Sequence, residues 1–365
     1  MVFFNREKDI KRFKAVLSGE PNLIHFVYGP INSGKTALLI KVFDELPSEY
    51  RVFYINFRAR YISEFQDLLK VLFEVQFSRR RKKAREIVKE FFKAGTKAVE
   101  RYKGIPIPEK IFDHIFADSR RVDDVFRYLE DIFEETVKAG LRPVLVLDEL
   151  QLIKEVVNTS GRLVLKGLFN FMVRVTKELH LCHCLCATSD CLFIEEIYFD
   201  ARLEGRAEYL LVDDLEKEDA LRVYKNFGFK EKDLIWDYVG GKIGDMVRLL
   251  EKKKQGYNEQ EALEHLLTEE KARLTWLLGG LKEENSLLFD EVEEILAYFE
   301  ANFVMAYDPL KRKALRFLIA ENVLFYDPLK GEVRPQGKLL WHAIKNFLGN
   351  GGSHVSGNQK DRGGA

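Results

Sequence analysis

The chain has 365 residues, 46% of them hydrophobic, which is enough for two or three domains with cores of their own. Lys plus Arg and Asp plus Glu each number 58, so the net charge is zero and any nucleic-acid role would need a local patch. No apolar run approaches the ~18 residues of a membrane span. The start, MVFFNREKDIKRF, is charged where a secretory leader needs an apolar core, and the four cysteines crowd into 182–191 instead of forming a spaced disulfide framework. The expectation is a cytoplasmic protein with no membrane partner.

In chain order, the pattern predicts a short amphipathic helix over 10–17 and a compact apolar strand over 23–28. A glycine-rich loop and a helix that Pro47 stops come next, then a second strand over 51–56. A mainly helical stretch spans about 62–103, with the basic run Arg79, Arg80, Arg81, Lys82, Lys83 and Arg85, and the GIPIP segment at 104–108 breaks it. Another helix follows over 122–139. Strands at 144–147, 181–188 and 209–212 enclose a helix over 163–179. Strands alternating with helices imply a mainly parallel sheet covered on both faces. From Asp214 onward, three short helices without strands (216–227, 232–239, 244–253) suggest a lid. Helices and then a hairpin (322–327 and 332–335) suggest a winged helix over 258–348. The Gly-, Ser- and Asn-rich tail, 349–365, is expected to be disordered.

Gly29, Pro30, Ile31, Asn32, Ser33, Gly34, Lys35 and Thr36 fit the pattern G-x-x-x-x-G-K-[ST] in full, between a buried strand and a helix. Glycines let the backbone wrap phosphate, while loop and helix N–H groups, through Ala37, point at the anion. Lys35 is a point charge for the β- and γ-phosphates, and the Thr36 hydroxyl is a hard ligand for Mg²⁺. The apolar run 144–147 carries Asp148 to the end of a central strand, where its carboxylate can hold Mg²⁺. Glu149, one residue on, is the natural base for the attacking water. The strand over 181–188 is expected to lie between these two motif strands. Thr188 and Ser189 at its end are candidates to sense the γ-phosphate, or they merely cap the next helix. Arg206, ahead of Arg202, is a candidate to reach a neighbour's nucleotide in a dimer or ring, and a solvated arginine is the plainer alternative. Asn56 could hold Glu149 in an inactive pose.

Cys182, His183, Cys184 and Cys186 resemble a metal cluster, yet along a strand the cysteines share one face and His183 takes the other, so they read as core. The run from Arg79 to Arg85 is the best nucleic-acid signal, with a solvated helix face as its plain reading. The wing sets Lys330 and Arg334 against Asp327 and Glu332 and is nearly neutral.

Taken together, these residues resemble the archaeal ATPase family, within the STAND branch of AAA+-like P-loop NTPases, over nearly the whole chain. Phe3, Phe4, Asn5, Arg6 and Glu7 look like its Phe-x-x-Arg-Glu entry segment, which implies that Arg6 lies near the adenine. Asp148, Glu149, Leu150 and Gln151 match closely. Residues 211–215 with 218–220 look like the segment that opens the lid. Gly240, Gly241, Lys242, Ile243, Gly244 and Asp245 are similar to a Gly-Gly-x-Pro lid motif, with Ile243 where proline is usual. Residues 322–341 look like the end of the winged helix. The resemblance implies an ASCE-type P-loop domain over 1–212 with a helical insertion at about 62–139, a helical lid over 213–257 and a winged helix. It also implies Mg²⁺-dependent ATP hydrolysis, with ATP or ADP setting a conformational switch. The expected partner is an unidentified protein, with a homo-oligomer in view; the alternative is a DNA-binding or DNA-remodelling ATPase that uses the winged helix and the basic run.

Overall fold

The computed structural model describes residues 6–59, 65–76, 105–108, 122–153 and 163–351. The run from Arg79 to Arg85, the box residues Phe3, Phe4 and Asn5, and the tail beyond 351 lie outside the described residues. The chain divides into two compact units, one formed by Met1–Gly29 with Gly34–Val212, the other by Pro30–Ser33 with Asp213–Ala365.

The first unit runs α1 (Glu7–Ser18), β1 (Ile24–Tyr28), α2 (Lys35–Asp44), β2 (Tyr50–Asn56), α3 (Phe65–Leu72), β3 (Phe73–Gln76) and β4 (Ile105–Pro108). It continues through α4 (Val122–Lys138), β5 (Arg142–Asp148), α5 (Leu163–Val173), β6 (His183–Ala187), α6 (Cys191–Tyr198) and β7 (Ala207–Leu211). Five strands form one sheet in the order β2-β5-β6-β1-β7, and every pairing is parallel. β6 therefore lies between the two motif strands, β1 and β5.

The three central strands, β1, β5 and β6, are largely apolar on both faces because both faces are covered. Val27, Val52, Val144, Val146, Leu185 and Leu210 pack with Phe13 and Leu17 of α1 and with Leu38, Leu39, Val42 and Phe43 of α2. On the alternate residues, Phe26 meets Phe169 of α5 edge-on at 6.2 Å, and Phe53 meets Phe133 of α4 at 5.5 Å. Phe133 also touches Phe171 of α5. At about 2 kcal/mol per buried ring, this second layer contributes on the order of 10 kcal/mol, enough to hold α4 and α5 against the sheet. At the N-terminal edge of the strands, Arg142 Nη1 donates to the Tyr50 hydroxyl (2.6 Å), which donates to Leu17 O (3.0 Å). All four cysteines are buried free thiols on β6 and its flanks and at the start of α6.

Two local expectations change. The GIPIP segment reads in sequence only as a break in a helical stretch; Ile105–Pro108 is instead a strand, β4, paired in parallel with β3. Ile105 and Ile107 are fully buried and keep their N–H groups, while the two prolines occupy the alternate positions, so the segment loses no donor that the pairing needs. The helix expected over 163–179 is α-helical only to Val173 and finishes as a π turn, Arg174–Glu178. There the Thr176 hydroxyl bonds Met172 O at 2.7 Å and competes for the backbone ladder.

The second unit holds α7 (Lys217–Asn226), α8 (Lys232–Tyr238), α9 (Ile243–Lys254), α10 (Glu259–Glu284), α11 (Ser286–Ala301), β8 (Met305–Ala306), α12 (Arg312–Ala320), β9 (Leu324–Asp327), β10 (Glu332–Pro335) and α13 (Lys338–Gly351). β8, β10 and β9 form an antiparallel sheet in that order. α10 starts at a capping box in which Asn258 Oδ1 accepts from Glu261 N and Glu261 Oε2 accepts from Asn258 N. α13 continues to Gly351, into the expected tail. Among the described residues no helix is long and apolar enough to cross a membrane.

Candidate active site at the C-terminal ends of β1, β5 and β6

β1 delivers the chain to Gly29, whose φ is +155°. A Cβ there would lie 2.2 Å from Val212 O, so the loop can leave the sheet beside the end of β7 only as glycine. Gly34, at φ +92°, caps α2 in the left-handed region and turns the chain into the helix. No acid stands in the first turn of α2, so its N–H groups and the positive end of its dipole are open to an anion. The Lys35 side chain is buried and Nζ donates to Gly29 O at 3.0 Å, folded back along the loop it serves. The tip, Pro30–Ser33, belongs to the second unit, where Ile31 O accepts from Lys242 Nζ (2.8 Å), Ile31 N donates to Gln336 Oε1 (3.2 Å) and Gly244 N donates to Asn32 O (3.1 Å).

Asp148, buried at the end of β5, carries three hydrogen bonds. Oδ2 accepts from Thr36 Oγ1 at 2.8 Å and from the Tyr54 hydroxyl at 2.5 Å, and Oδ1 accepts from Glu149 N at 3.0 Å. Burial and the Asp148 charge push Tyr54 ionisation well above the usual phenol range, so Tyr54 remains a donor. Motif spacing does not single out Tyr54; its one signal in the sequence is its place on β2, two residues before Asn56 and on the same face.

Glu149 sits at φ +60°, a left-handed conformation that costs a non-glycine residue on the order of 1 kcal/mol. The turn ends β5 and opens a 3₁₀ turn, Leu150–Ile153, whose Leu150 and Ile153 are buried. Glu149 Oε2 accepts from Gln151 Nε2 at 2.6 Å and pairs with Arg58 Nη2 at 3.0 Å. Gln151 Oε1 accepts from Thr188 Oγ1 at 2.7 Å.

Asn56 does not hold Glu149. Its Oδ1 turns back to accept from Arg58 N at 2.8 Å at the 3₁₀ turn Phe57–Ala59, and Arg58 takes the carboxylate instead. At the end of β6, Thr188 faces Gln151 while Asp190 caps α6, its Oδ1 accepting from Phe193 N; Ser189, between them, is half-buried. Arg6 is buried at the N-cap of α1, with Nη1 on Asp9 Oδ2 at 2.8 Å. Arg202 is forked onto Asp200 and stacks over Phe169. Arg206 is exposed, with Nη1 on Arg202 O at 3.2 Å. The structure therefore gathers Gly29, Gly34, Lys35 and Thr36 with Asp148, Glu149 and Thr188 at the C-terminal ends of the strands, together with Tyr54, Arg58 and Gln151, for which spacing alone suggests no role.

Residues 3–249 match a family described as an ATPase domain predominantly from Archaea, and residues 260–348 match the C-terminal domain of an MJ1010-like ATP-binding protein family. The chain belongs to the archaeal ATPase family. The uncharacterised ATP-binding protein MJ0147 of Methanocaldococcus jannaschii is 40% identical, the match covering 95% of this chain and 98% of that protein. The uncharacterised ATP-binding protein PYRAB09480 of Pyrococcus abyssi is also 40% identical, covering 95% and 99%. Among solved structures, the Walker-type ATPase PABY2304 of Pyrococcus abyssi superposes with a TM-score of 0.61 at 15% identity, covering 94% of this archaeal ATPase and 96% of that chain. At that identity the likeness concerns the fold, a parallel sheet with helices on both faces.

Proposed function

We propose that this archaeal ATPase binds ATP with Mg²⁺, hydrolyses it slowly and uses the cycle as a conformational switch in the cytoplasm. One observation carries the reading: the loop threonine and the strand-end aspartate share a 2.8 Å hydrogen bond, with a second carboxylate one residue away. Thr36 and Asp148 supply two hard oxygens, the donor set that Mg²⁺ prefers, and Lys35 adds a cation on the phosphate side. Bound there, Mg²⁺ neutralises phosphate charge.

The protein groups have separate roles. Backbone N–H groups from Gly29 to Ala37 and the α2 dipole hold the phosphates. Lys35 leaves Gly29 O to meet the β- and γ-oxygens. Glu149 orients the attacking water and accepts its proton. Ser189 is the residue offered to the γ-phosphate, Arg6 supports the base end of the nucleotide, and Arg206 serves a neighbouring protomer. In this reading residues 213–257 act as the lid and 258–348, with their β8-β10-β9 sheet, as a winged helix.

Two substitutions separate binding from chemistry. Lys35→Ala removes a charge-assisted contact of about 1.5–3 kcal/mol, so ATP affinity measured by calorimetry should fall at least tenfold. Glu149→Gln should leave ATP affinity intact while turnover falls ~100-fold. Unchanged affinity in the first variant, or wild-type turnover in the second, would overturn the assignment.

A further inference from the structure

A chain of hydrogen bonds runs into Glu149, and every link points the same way. Asp190 N donates to Thr188 Oγ1 (3.1 Å), which leaves the Thr188 proton for Gln151 Oε1 (2.7 Å); Gln151 Nε2 then donates to Glu149 Oε2 (2.6 Å). The carboxamide can take only this orientation, because its oxygen would meet a carboxylate if it were turned over. Thr188 is buried, and the turn that carries Gln151 is fixed by buried Leu150 and Ile153, so none of the three groups is free to wander. Aligned donors polarise one another and stiffen such a chain. Arg58 joins on the same oxygen, Oε2. Oε1 has no protein partner among the described residues, so the donors fix the carboxylate by one oxygen.

We infer that Gln151, held by Thr188, is a positioning residue that aims Glu149, and that Thr188 acts on the chemistry through Gln151. The inference rests on the ATP-hydrolysis reading above and adds to it the source of the base's orientation. It also gives two adjacent residues different roles, with Thr188 orienting the base and Ser189 left for the nucleotide.

The test is steady-state ATP hydrolysis with parallel ATP binding for wild type, Glu149→Gln, Gln151→Met, Thr188→Val, Thr188→Ser and the Gln151→Met/Thr188→Val double variant. Methionine and valine keep side-chain size and remove the bonds. Misaiming a catalytic group by about 1 Å costs on the order of 100-fold. Gln151→Met and Thr188→Val should therefore each lower kcat by about 10- to 100-fold with ATP affinity unchanged. The double variant should be no slower than Gln151→Met, because the two act as one chain. Thr188→Ser keeps the hydroxyl and should retain kcat. Wild-type kcat in Gln151→Met, multiplicative losses in the double variant, or a parallel loss of ATP affinity would each overturn the inference. A Glu149→Gln protein that still turns over would instead overturn the underlying reading, so the two failures are distinct.

Discussion

His183 is a basic side chain that the fold forces to stay neutral. It lies on β6 among core residues, and burial, aided by the nearby Arg142 charge, pushes its pKa down to about 4 from an ordinary 6.5. Above pH 6.5 the folded and unfolded states both hold it neutral and its contribution is complete. As pH falls from 6.5 toward 4, only the unfolded state takes up the proton, so stability is lost across that window, by up to about 3 kcal/mol. Denaturant unfolding of wild type and His183→Leu between pH 7.5 and 4.5 checks the sign. Wild type should lose stability relative to the variant as the solution is acidified, and a constant difference would refute it. The site residues differ in how well sequence shows them. Gly29, Lys35, Thr36, Asp148 and Glu149 are visible because their chemistry demands fixed local spacing. The contacts of Tyr54, Arg58 and Thr188 are not, because their partners lie far along the chain: 94 residues separate Tyr54 from Asp148, and 37 separate Thr188 from Gln151. Asn56 is a fair candidate by position; the turn after β2 sends its side chain back to Arg58 N and brings Arg58 to the carboxylate.

At the scale of elements, the central strands are the plainest part of the sequence. A parallel strand covered on both faces has to be apolar throughout, and β1, β5 and β6 are each a largely apolar run, interrupted within the sheet core only by His25 and His183 and ended by Asp148. β4 shows the limit of that reasoning. Alternating prolines signal a break in any helix, and they do not reveal that the two isoleucines alternating with them pair with β3. The passage from β1 into α2 gives a sharp prediction. Gly29→Ala would set a methyl carbon 2.2 Å from Val212 O, a backbone atom that cannot swing aside. The loop must then move off the end of β7, where Val212 N now donates to Tyr28 O at 2.8 Å. The variant should lose at least tenfold in ATP affinity, as a displaced charge-assisted cradle implies, and hydrogen exchange should speed up at Val212. Wild-type affinity and protection would mean that the close approach is not needed.

At the scale of the whole molecule, charge is balanced in total and segregated in place. The exposed face of α11 carries Asp290, Glu291, Glu293, Glu294 and Glu300 with no basic residue, whereas Lys311, Arg312, Lys313 and Arg316 cluster at the start of α12. Lys311 is already paired with Glu294 at 2.6 Å. Assembly is testable through Arg206. Arg206→Ala and Lys35→Ala should each be nearly inactive alone, the first unable to serve its neighbour and the second unable to hold ATP. Mixed, they should form composite sites and regain measurable turnover, since an arginine acting in trans can be worth ~10³-fold in rate. Normal turnover in Arg206→Ala, or no recovery at any mixing ratio, would remove the trans role. The cysteines have a consequence of another kind. All four thiols of the chain are buried, and burial raises Cys182 and Cys186 well above the range in which a thiol ionises at neutral pH. To an alkylating dye the folded molecule is therefore nearly blank. One cysteine introduced on the exposed face of α11 would take a fluorophore at that place alone, with the native residues left as they are.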